Sequence, residues 1–227
     1  MRYQLDFSDL WGYWPQFLAG AVTTVELTFF ATVLGLVIGV LGAIARGSRI
    51  GWLRTGAGIY VELVRNTPFL IQIFFLFFGL ASMGLRMPVL VAAVLAMVIN
   101  VGAYSTEIVR AGIDAVHPSQ LEAAESLGLS TFQIYRDIIL RPALERVYPS
   151  LTSQFTLMML QSSITSQISA EELTGAANVI QSITFRSMET YLIIGLAYLV
   201  LTLLLKSGFW ALGQGLFPRR RRLGTPL

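Results

Sequence analysis

The chain has 227 residues, of which 55% are hydrophobic and 13% are charged. An ordinary soluble domain carries about twice this proportion of charged residues, so the composition argues against a soluble domain, and it also excludes a disordered chain. The sequence contains no cysteine and one histidine, His117. These counts exclude thiol catalysis and cysteine-bound metal clusters, and they argue against a histidine-ligated metal site.

Uncharged stretches long enough to cross a membrane recur along the chain. A spanning helix needs about 20 apolar residues. Five stretches are close to this length: Leu27–Ala45, Asn66–Leu85, Met87–Thr106, Val147–Ala170 and Thr190–Leu205. The first is expected to begin near Gly20 and the fifth to continue to about Trp210. Because continuous apolar runs favour helices over the alternating strands of a barrel, we predict an all-α integral membrane protein with five transmembrane helices.

The segments outside these stretches suggest three regions. Residues 1–19 contain Trp11, Tyr13 and Trp14. Three aromatic residues so close together favour an extracytoplasmic segment lying at the lipid–water interface over a disordered tail. We expect the transmembrane domain to cover 20–212, with a polar loop at about 117–142, and a basic tail to cover 213–227.

The basic residues are distributed unevenly between the two sides of the predicted membrane. Of the 16 lysines and arginines, only Arg2, Arg86 and Arg186 lie outside the connections that follow the first and third spans and the C-terminal region. The positive-inside rule therefore predicts an N-terminus outside the cell and a C-terminus in the cytoplasm. Arg219–Arg222 is then interpreted as a lipid-headgroup anchor rather than a nucleic-acid site.

The loop after the third span carries the signals of a short helix. Ser119 and Glu122 have the spacing of a capping box, and Gly128 is placed to end the helix. The small residues Ala123 and Ala124 would let one side of this helix enter a groove on another protein. An ordinary loop with incidental caps is the alternative.

A second helix is predicted directly after the first. Ser130 is placed as its N-cap with Gln133 at the third helical position, and Pro142 is expected to end or kink it. Its apolar face would be formed by Ile134, Ile138 and Ile139.

The loop resembles a known motif. Glu122-Ala123-Ala124, followed at the family's spacing by Gly128, Ile138 and Leu140, is similar to the EAA motif of ABC importer permeases. In that family the motif forms a coupling helix that docks into a groove of the ATP-binding subunit. The resemblance therefore implies that Glu122, Ala123, Ala124 and Gly128 couple this chain to an ATPase.

Other segments resemble one subfamily, the polar amino acid permeases of the histidine/glutamine/glutamate importer type. These segments are Gly20–Leu27, Tyr60–Pro68, Ala103–Ile113, Ser162-Ser163 and Glu171–Thr174. The resemblance extends over most of the chain and implies the type I ABC importer permease fold. The chain departs from the usual residues at Asn66, Ser119, Leu160-Gln161 and Arg141. These departures leave the transported amino acid open.

The resemblance also implies the partners and the energy source. Two ATP-binding subunits, a second permease that is identical or homologous, and an extracytoplasmic amino-acid-binding protein would complete the importer. ATP and magnesium would be bound by the ATPase, with no cofactor and no metal in this chain. Transport would follow alternating access in the cytoplasmic (inner) membrane.

Charged residues near the membrane ends form two candidate pairs. Glu107 and Arg110 are three residues apart at the end of the third span, and Glu62 and Arg65 repeat this spacing before the second. We expect each pair to anchor its helix. A gate or a substrate ligand is the alternative.

The fourth span is unusually polar. Its candidate path residues are Gln161, Ser163 and Ser166, with Asn100 and Gln72 as weaker candidates on other spans. On an α-helix, Gln161, Thr165 and Ser169 would form one stripe and Ser162, Ser166 and Ala170 the next. A water-lined substrate path is favoured slightly over interhelical hydrogen bonding.

Two other functions are considered. No phosphate-binding glycine-rich motif or catalytic serine motif is present, so an enzyme, including an intramembrane hydrolase, has little support. The stronger alternative is a stand-alone secondary amino acid transporter or channel. Five spans and no inverted repeat argue against it.

Overall fold

The computed structural model describes residues 4–217, and all regular elements in this range are helical. The α-helices are α1 Trp14–Arg46, α2 Gly51–Arg65, α3 Phe69–Phe74, α4 Leu80–Ser82, α5 Val89–Asp114, α6 Pro118–Ser126, α7 Thr131–Gln133, α8 Arg141–Gln161, α9 Leu173–Thr184 and α10 Ser187–Leu216. Two 3₁₀-helices cover Ser8–Tyr13 and Ser162–Ile168, and two π-helical segments cover Phe75–Gly79 and Ile134–Leu140. The prediction of an all-α protein is confirmed.

Within residues 4–217, three helices are long and apolar enough to cross a membrane: Ser8–Arg46, Val89–Asp114 and Ser187–Leu216. A fourth is added if Gly51–Arg65 and Phe69–Ser82 are counted as one broken span. The predicted fourth span corresponds to α8 and the 3₁₀-helix Ser162–Ile168. Its polar residues make it less apolar than the helices named above. Five spans therefore stay a prediction.

The first helix begins earlier than the sequence suggested. α1 starts at Trp14 rather than near Gly20. Pro15 lies in the first turn, where its missing N–H group has no helical partner to lose. At 33 residues, α1 is about 50 Å long. It is therefore longer than a hydrocarbon core of about 30 Å.

Two helices occupy segments that were expected to be connections. α2 lies between the first two predicted spans, and α9 lies between the last two. Both have apolar residues on one side and polar residues on the other, but at 15 and 12 residues neither is long enough by itself to be a span. The basic run Arg219–Arg222 and Arg2 lie outside the described residues.

The chain divides into two compact units. The first comprises 4–33, 67–98 and 155–206, and the second comprises 34–66, 99–154 and 207–217, within the described range. In the first unit, residues of the N-terminal 3₁₀-helix, α1, α9 and α10 form an apolar core: Leu10, Phe17, Leu173, Ala177, Ile180 and Ile194.

In the second unit, glycines bring α1 against α5. A Cβ atom at Gly35 would lie 2.5 Å from the Val101 side chain, and one at Gly39 would overlap Ser105. Gly42 stands in the same relation to Thr106. Gly35, Gly39 and Gly42 therefore form a helix-packing surface on α1, as is typical of membrane helices.

Gly39→Val is expected to destabilise the protein by about 1–3 kcal/mol, because the added side chain must displace Ser105 of α5. The thermal midpoint of the detergent-solubilised protein measures this effect. Gly195→Val is the matched control, since Gly195 lies in a helix with open space around it. Equal midpoints for the two variants would contradict the packing account.

Candidate functional site

The loop helix α6 has well-defined ends. Its N-cap is His117, whose Nδ1 accepts a hydrogen bond from the backbone N–H of Ser119. The prediction of Ser119 as N-cap is wrong, because Pro118 with its fixed φ occupies the first helical position and moves the cap back by two residues.

Gly128 ends α6 as predicted. Its φ is +71°, in the left-handed region. Its N–H donates to Glu125 O at 2.9 Å, and the N–H of Leu129 donates to Ala124 O at 3.2 Å. These two bonds form a Schellman motif, in which a residue with a Cβ atom at the glycine position is strained.

The two sides of α6 differ in what they face. Ala124 is buried, and α6 packs against the π-helical segment Ile134–Leu140. Glu122, Ala123 and Glu125 are exposed. The expectation that both alanines are on the open side is therefore wrong for Ala124.

Large apolar side chains are also exposed beside α6. Leu127 is 79% exposed and Phe132 is 71% exposed. Both side chains are therefore accessible to a partner protein at the C-terminal end of α6 and in α7.

The second predicted helix start is confirmed. Ser130 and Gln133 form a reciprocal capping box. Pro142 was expected to end or kink the helix. It does not end it, because α8 continues through Pro142 and Pro149. The π-helical segment directly before Pro142 changes the backbone register at the point where the proline lacks an N–H group.

The charged residues do not pair as predicted. Glu107 forms ion pairs with Arg46 of α1 at 3.3 Å and with Arg65 of α2 at 3.6 Å. Arg110 instead pairs with Asp114 at 3.4 Å. Spacing along one helix could not reveal Arg46, because the close α1–α5 contact brings it to Glu107.

Glu62 also has a different partner. Its carboxylate accepts a hydrogen bond from Asn66 Nδ2 at 2.9 Å rather than pairing with Arg65. The Arg65 guanidinium lies over the Tyr104 ring, 5.4 Å from the centroid. The four predicted charged residues thus belong to contacts that connect α1, α2 and α5 or that fix single helix ends.

The polar end of the fourth predicted span is a 3₁₀-helix, not an α-helix. Three residues per turn replace the expected stripes with rows spaced by three. The row Ser162, Thr165 and Ile168 is buried, whereas Gln161 is exposed and Ser163 and Ser166 are half-buried. The predicted grouping of Gln161 with Thr165 and Ser169 is therefore wrong.

The serine hydroxyls in this segment bond to their own backbone. Ser163 Oγ donates to Leu160 O and Ser166 Oγ donates to Ser163 O, each at 2.7 Å. Their oxygen lone pairs can still accept hydrogen bonds. Gln161 and both serines thus offer polar groups on the less buried sides of the segment.

The two weaker candidates are in different environments. Gln72 lies on α3, which packs against the 3₁₀-helix Ser162–Ile168. Its Nε2 donates to Thr67 O at 2.9 Å and to Thr67 Oγ1 at 3.1 Å. Asn100 is buried in α5 of the second unit.

Sequence analysis did not identify Glu172 as a site residue. This carboxylate is fully buried and caps α9 by accepting hydrogen bonds from the backbone N–H groups of Gly175 at 2.8 Å and Thr174 at 3.0 Å. Tyr198 Oη donates to it at 2.7 Å, and Thr24 Oγ1 donates at 3.4 Å. The signal available in the sequence was an acidic residue placed as an N-cap.

An ion-pair cluster fixes the N-terminal segment of the first unit. Arg186 contacts Asp6 at 3.0 Å and Asp9 at 3.2 Å. The backbone N–H and hydroxyl of Ser8, together with Arg186, hold the pKa of Asp6 below its usual value. The adjacent 3₁₀-helix packs on α9.

Comparisons with known proteins give a consistent result. A family model described as "Binding-protein-dependent transport system inner membrane component" matches residues 31–217. A probable amino-acid ABC transporter permease, y4tG of Sinorhizobium fredii, is 33% identical over 189 residues, covering 83% of this chain and 82% of the relative. The glutamine transport system permease GlnP of Escherichia coli K12 is 34% identical over 205 residues, covering 89% and 93%.

A solved structure is similar over almost its whole length. It is described as the crystal structure of an amino acid ABC transporter with histidines. Its matching chain is 37% identical, with a TM-score of 0.85 and coverage of 93% of this chain and 99% of that chain. The fold implied by the sequence resemblance is confirmed.

Glu172→Gln is expected to lower the free energy of unfolding by about 1–3 kcal/mol. The amide has one acceptor oxygen where the carboxylate has two, so its NH₂ group faces a buried backbone N–H of α9. Thermal unfolding measures the loss. Glu171→Gln is the control because Glu171 is exposed, and an equal loss in both variants would argue against the capping role.

Proposed function

Because the chain belongs to the family of binding-protein-dependent transport system inner membrane components, we propose that it moves polar amino acids through the membrane in an ABC importer. It is the transmembrane permease subunit, and ATP is hydrolysed by a separate ATPase subunit. The observation that carries this proposal is the match to amino acid permeases over most of both chains. The alternative of a stand-alone secondary transporter or channel is not favoured.

The substrate class rests on the relatives. Both relatives are described as amino-acid or glutamine permeases. Identity near one third does not transfer a single substrate, so the proposal is the class of polar amino acids and not glutamine itself.

α6 is proposed as the coupling helix. Its open side presents Glu122 and Ala123, while Ala124 and the Gly128 turn hold it on the permease. Exposed Leu127 and Phe132 extend the docking surface. A partner that closes on ATP binding would push this rigid helix and, through its packing on Ile134–Leu140, move α8.

The proposed assembly contains two permeases, two ATPases and an extracytoplasmic binding protein. The permease pair would be related by two-fold symmetry, as is usual for membrane subunits of this kind. ATP and magnesium belong to the ATPase in this scheme. Transport follows alternating access, in which ATP binding and hydrolysis switch the helices between inward- and outward-facing arrangements.

Gly128→Val is expected to abolish uptake, because a β-branched residue is strained at a φ of +71°. Gly128→Asn is the matched control, since asparagine tolerates the left-handed region. Both variants should insert in the membrane. Uptake into cells and co-purification of the ATPase measure coupling. Wild-type uptake by Gly128→Val would contradict the coupling role.

Gln161, Ser163 and Ser166 are proposed to border the substrate path, with Asn100 and Gln72 as further candidates. A zwitterion entering the membrane loses water, and amides and hydroxyls can replace those hydrogen bonds without a buried charge. The exposure of Gln161, the last residue of α8 directly before the 3₁₀-helix, supports this proposal.

Gln161→Leu is expected to lower uptake severalfold while assembly with the ATPase and its hydrolysis survive, because the substrate loses a hydrogen-bonding group and the fold loses none. Uptake and ATPase rates in proteoliposomes measure the two effects. Gln181→Leu on α9 is the control. Loss of assembly in Gln161→Leu would instead indicate a packing role.

The proposed orientation places the N-terminus outside and the C-terminus in the cytoplasm. Single cysteines can test it, since the chain has none. An impermeant thiol reagent should label cysteines at Arg86 and Asn178 in intact cells, and should label those at Gly47 and Ser126 only after lysis. Labelling at Ser126 in intact cells would reverse the orientation.

A further inference from the structure

The second unit contains a charged cluster whose hydrogen bonding is incomplete. Arg46, Arg65 and Glu107 come from α1, α2 and α5, and one carboxylate faces two guanidinium groups. Arg46 Nε is buried without a hydrogen-bond partner among residues 4–217, and the contact of Glu107 Oε1 is its ion pair with Arg46 Nη2 at 3.3 Å. These three side chains carry a net charge of +1, so two guanidinium groups share one carboxylate.

The two arginines differ in how they are held. A Cβ atom at Gly58 would lie 2.9 Å from Arg46 Nη1, so the α2 backbone closes over Arg46. The Arg46 side chain is 19% exposed and that of Arg65 is 40% exposed. Arg46 is thus enclosed between helices, whereas Arg65 has an open side.

The Arg65 guanidinium is held in position, but its N–H donors are not all used in hydrogen bonds. Tyr104 supports one face of its guanidinium, and Glu107 lies 3.6 Å from Nη1, beyond ordinary hydrogen-bond length. A guanidinium group has five N–H donors. Stacking on a ring occupies the face and leaves the donor edge free for a planar, two-oxygen acceptor.

Neighbouring charges do not neutralise this edge. Among the described residues Glu62 forms no ion pair with Arg65 and instead accepts a hydrogen bond from Asn66, and Arg110 pairs with Asp114. Glu107 is shared with Arg46, so it supplies one charge for two arginines. The unsatisfied positive charge therefore remains at the more exposed arginine.

We propose that Arg65 binds the α-carboxylate of the transported amino acid. The inference rests on the proposed function, because a carboxylate is the group that all amino acid substrates share. Glu107 and Tyr104 are positioning residues that set the direction of the guanidinium. A lipid phosphate presents similar oxygens and is the competing source of the same chemistry.

The test uses the purified permease–ATPase complex without binding protein. Equilibrium binding of the twenty radiolabelled proteinogenic amino acids to wild type identifies the tightest ligand. The Kd of that amino acid is then compared with the Kd of its carboxamide, which lacks the negative charge. Wild type should prefer the carboxylate by about tenfold or more, as expected for a charge-assisted bond.

Arg65→Gln should raise the Kd of the amino acid by about tenfold or more and remove the preference over the carboxamide. Arg65→Lys keeps the positive charge but loses the paired N–H donors of the guanidinium, so it should give an intermediate Kd. This variant provides the test if Arg65→Gln folds poorly. Arg54→Gln on the same helix is the control and should bind as wild type. Size-exclusion chromatography reports whether the permease pair is intact.

Four results would overturn the inference. These are unchanged binding by Arg65→Gln, equal wild-type affinity for the carboxamide, binding lost only through dissociation of the permeases, and competition by anionic lipid headgroups but not by amino acids. If wild type with its binding protein imports no amino acid, the proposed function itself fails. If wild type imports one and Arg65→Gln binds it normally, only this inference fails.

Discussion

The close contact of α1 with α5 is the constraint on which the second unit depends. Glycine at three α1 positions lets the two backbones meet, and one turn further along α1 Arg46 reaches Glu107. α2 joins through a hydrogen bond from Tyr60 Oη to Ile99 O at 2.7 Å. α8 joins where Gly112 of α5 approaches it and where Arg146 bonds to Ala115 O at 2.8 Å. Small residues and a few charge contacts thus hold the helical segments of the second unit together.

Features with a local physical cause could be predicted from the sequence. Long apolar runs require helices in lipid, so the helical class and the approximate positions of α1, α5 and α10 followed from hydropathy. Gly128 and the Ser130 capping box followed from helix-end chemistry, which involves only neighbouring residues. The resemblance of the segment from Glu122 to Leu140 to the EAA motif identified the family, which the family model confirms.

Features set by tertiary contacts could not be predicted in the same way. Glu107 forms ion pairs with Arg46 and Arg65 because the packing of helices against one another, and not residue spacing along one helix, determines which charged residues are close. The 3₁₀-helix regrouped the polar residues after Gln161, since a change from 3.6 to 3.0 residues per turn is not visible in composition. Glu172 is invisible to a hydropathy reading, although four hydrogen bonds make it a central contact of the first unit.

The central claim is that this chain supplies the path while a separate ATPase supplies the energy. Uptake of radiolabelled amino acids into proteoliposomes tests it most directly, using the permease with or without the ATPase and the binding protein of the proposed importer. The account predicts accumulation only when permease, ATPase, binding protein and ATP are all present. Accumulation by the permease alone, driven by an ion gradient and insensitive to ATP, would contradict the account and indicate a secondary transporter.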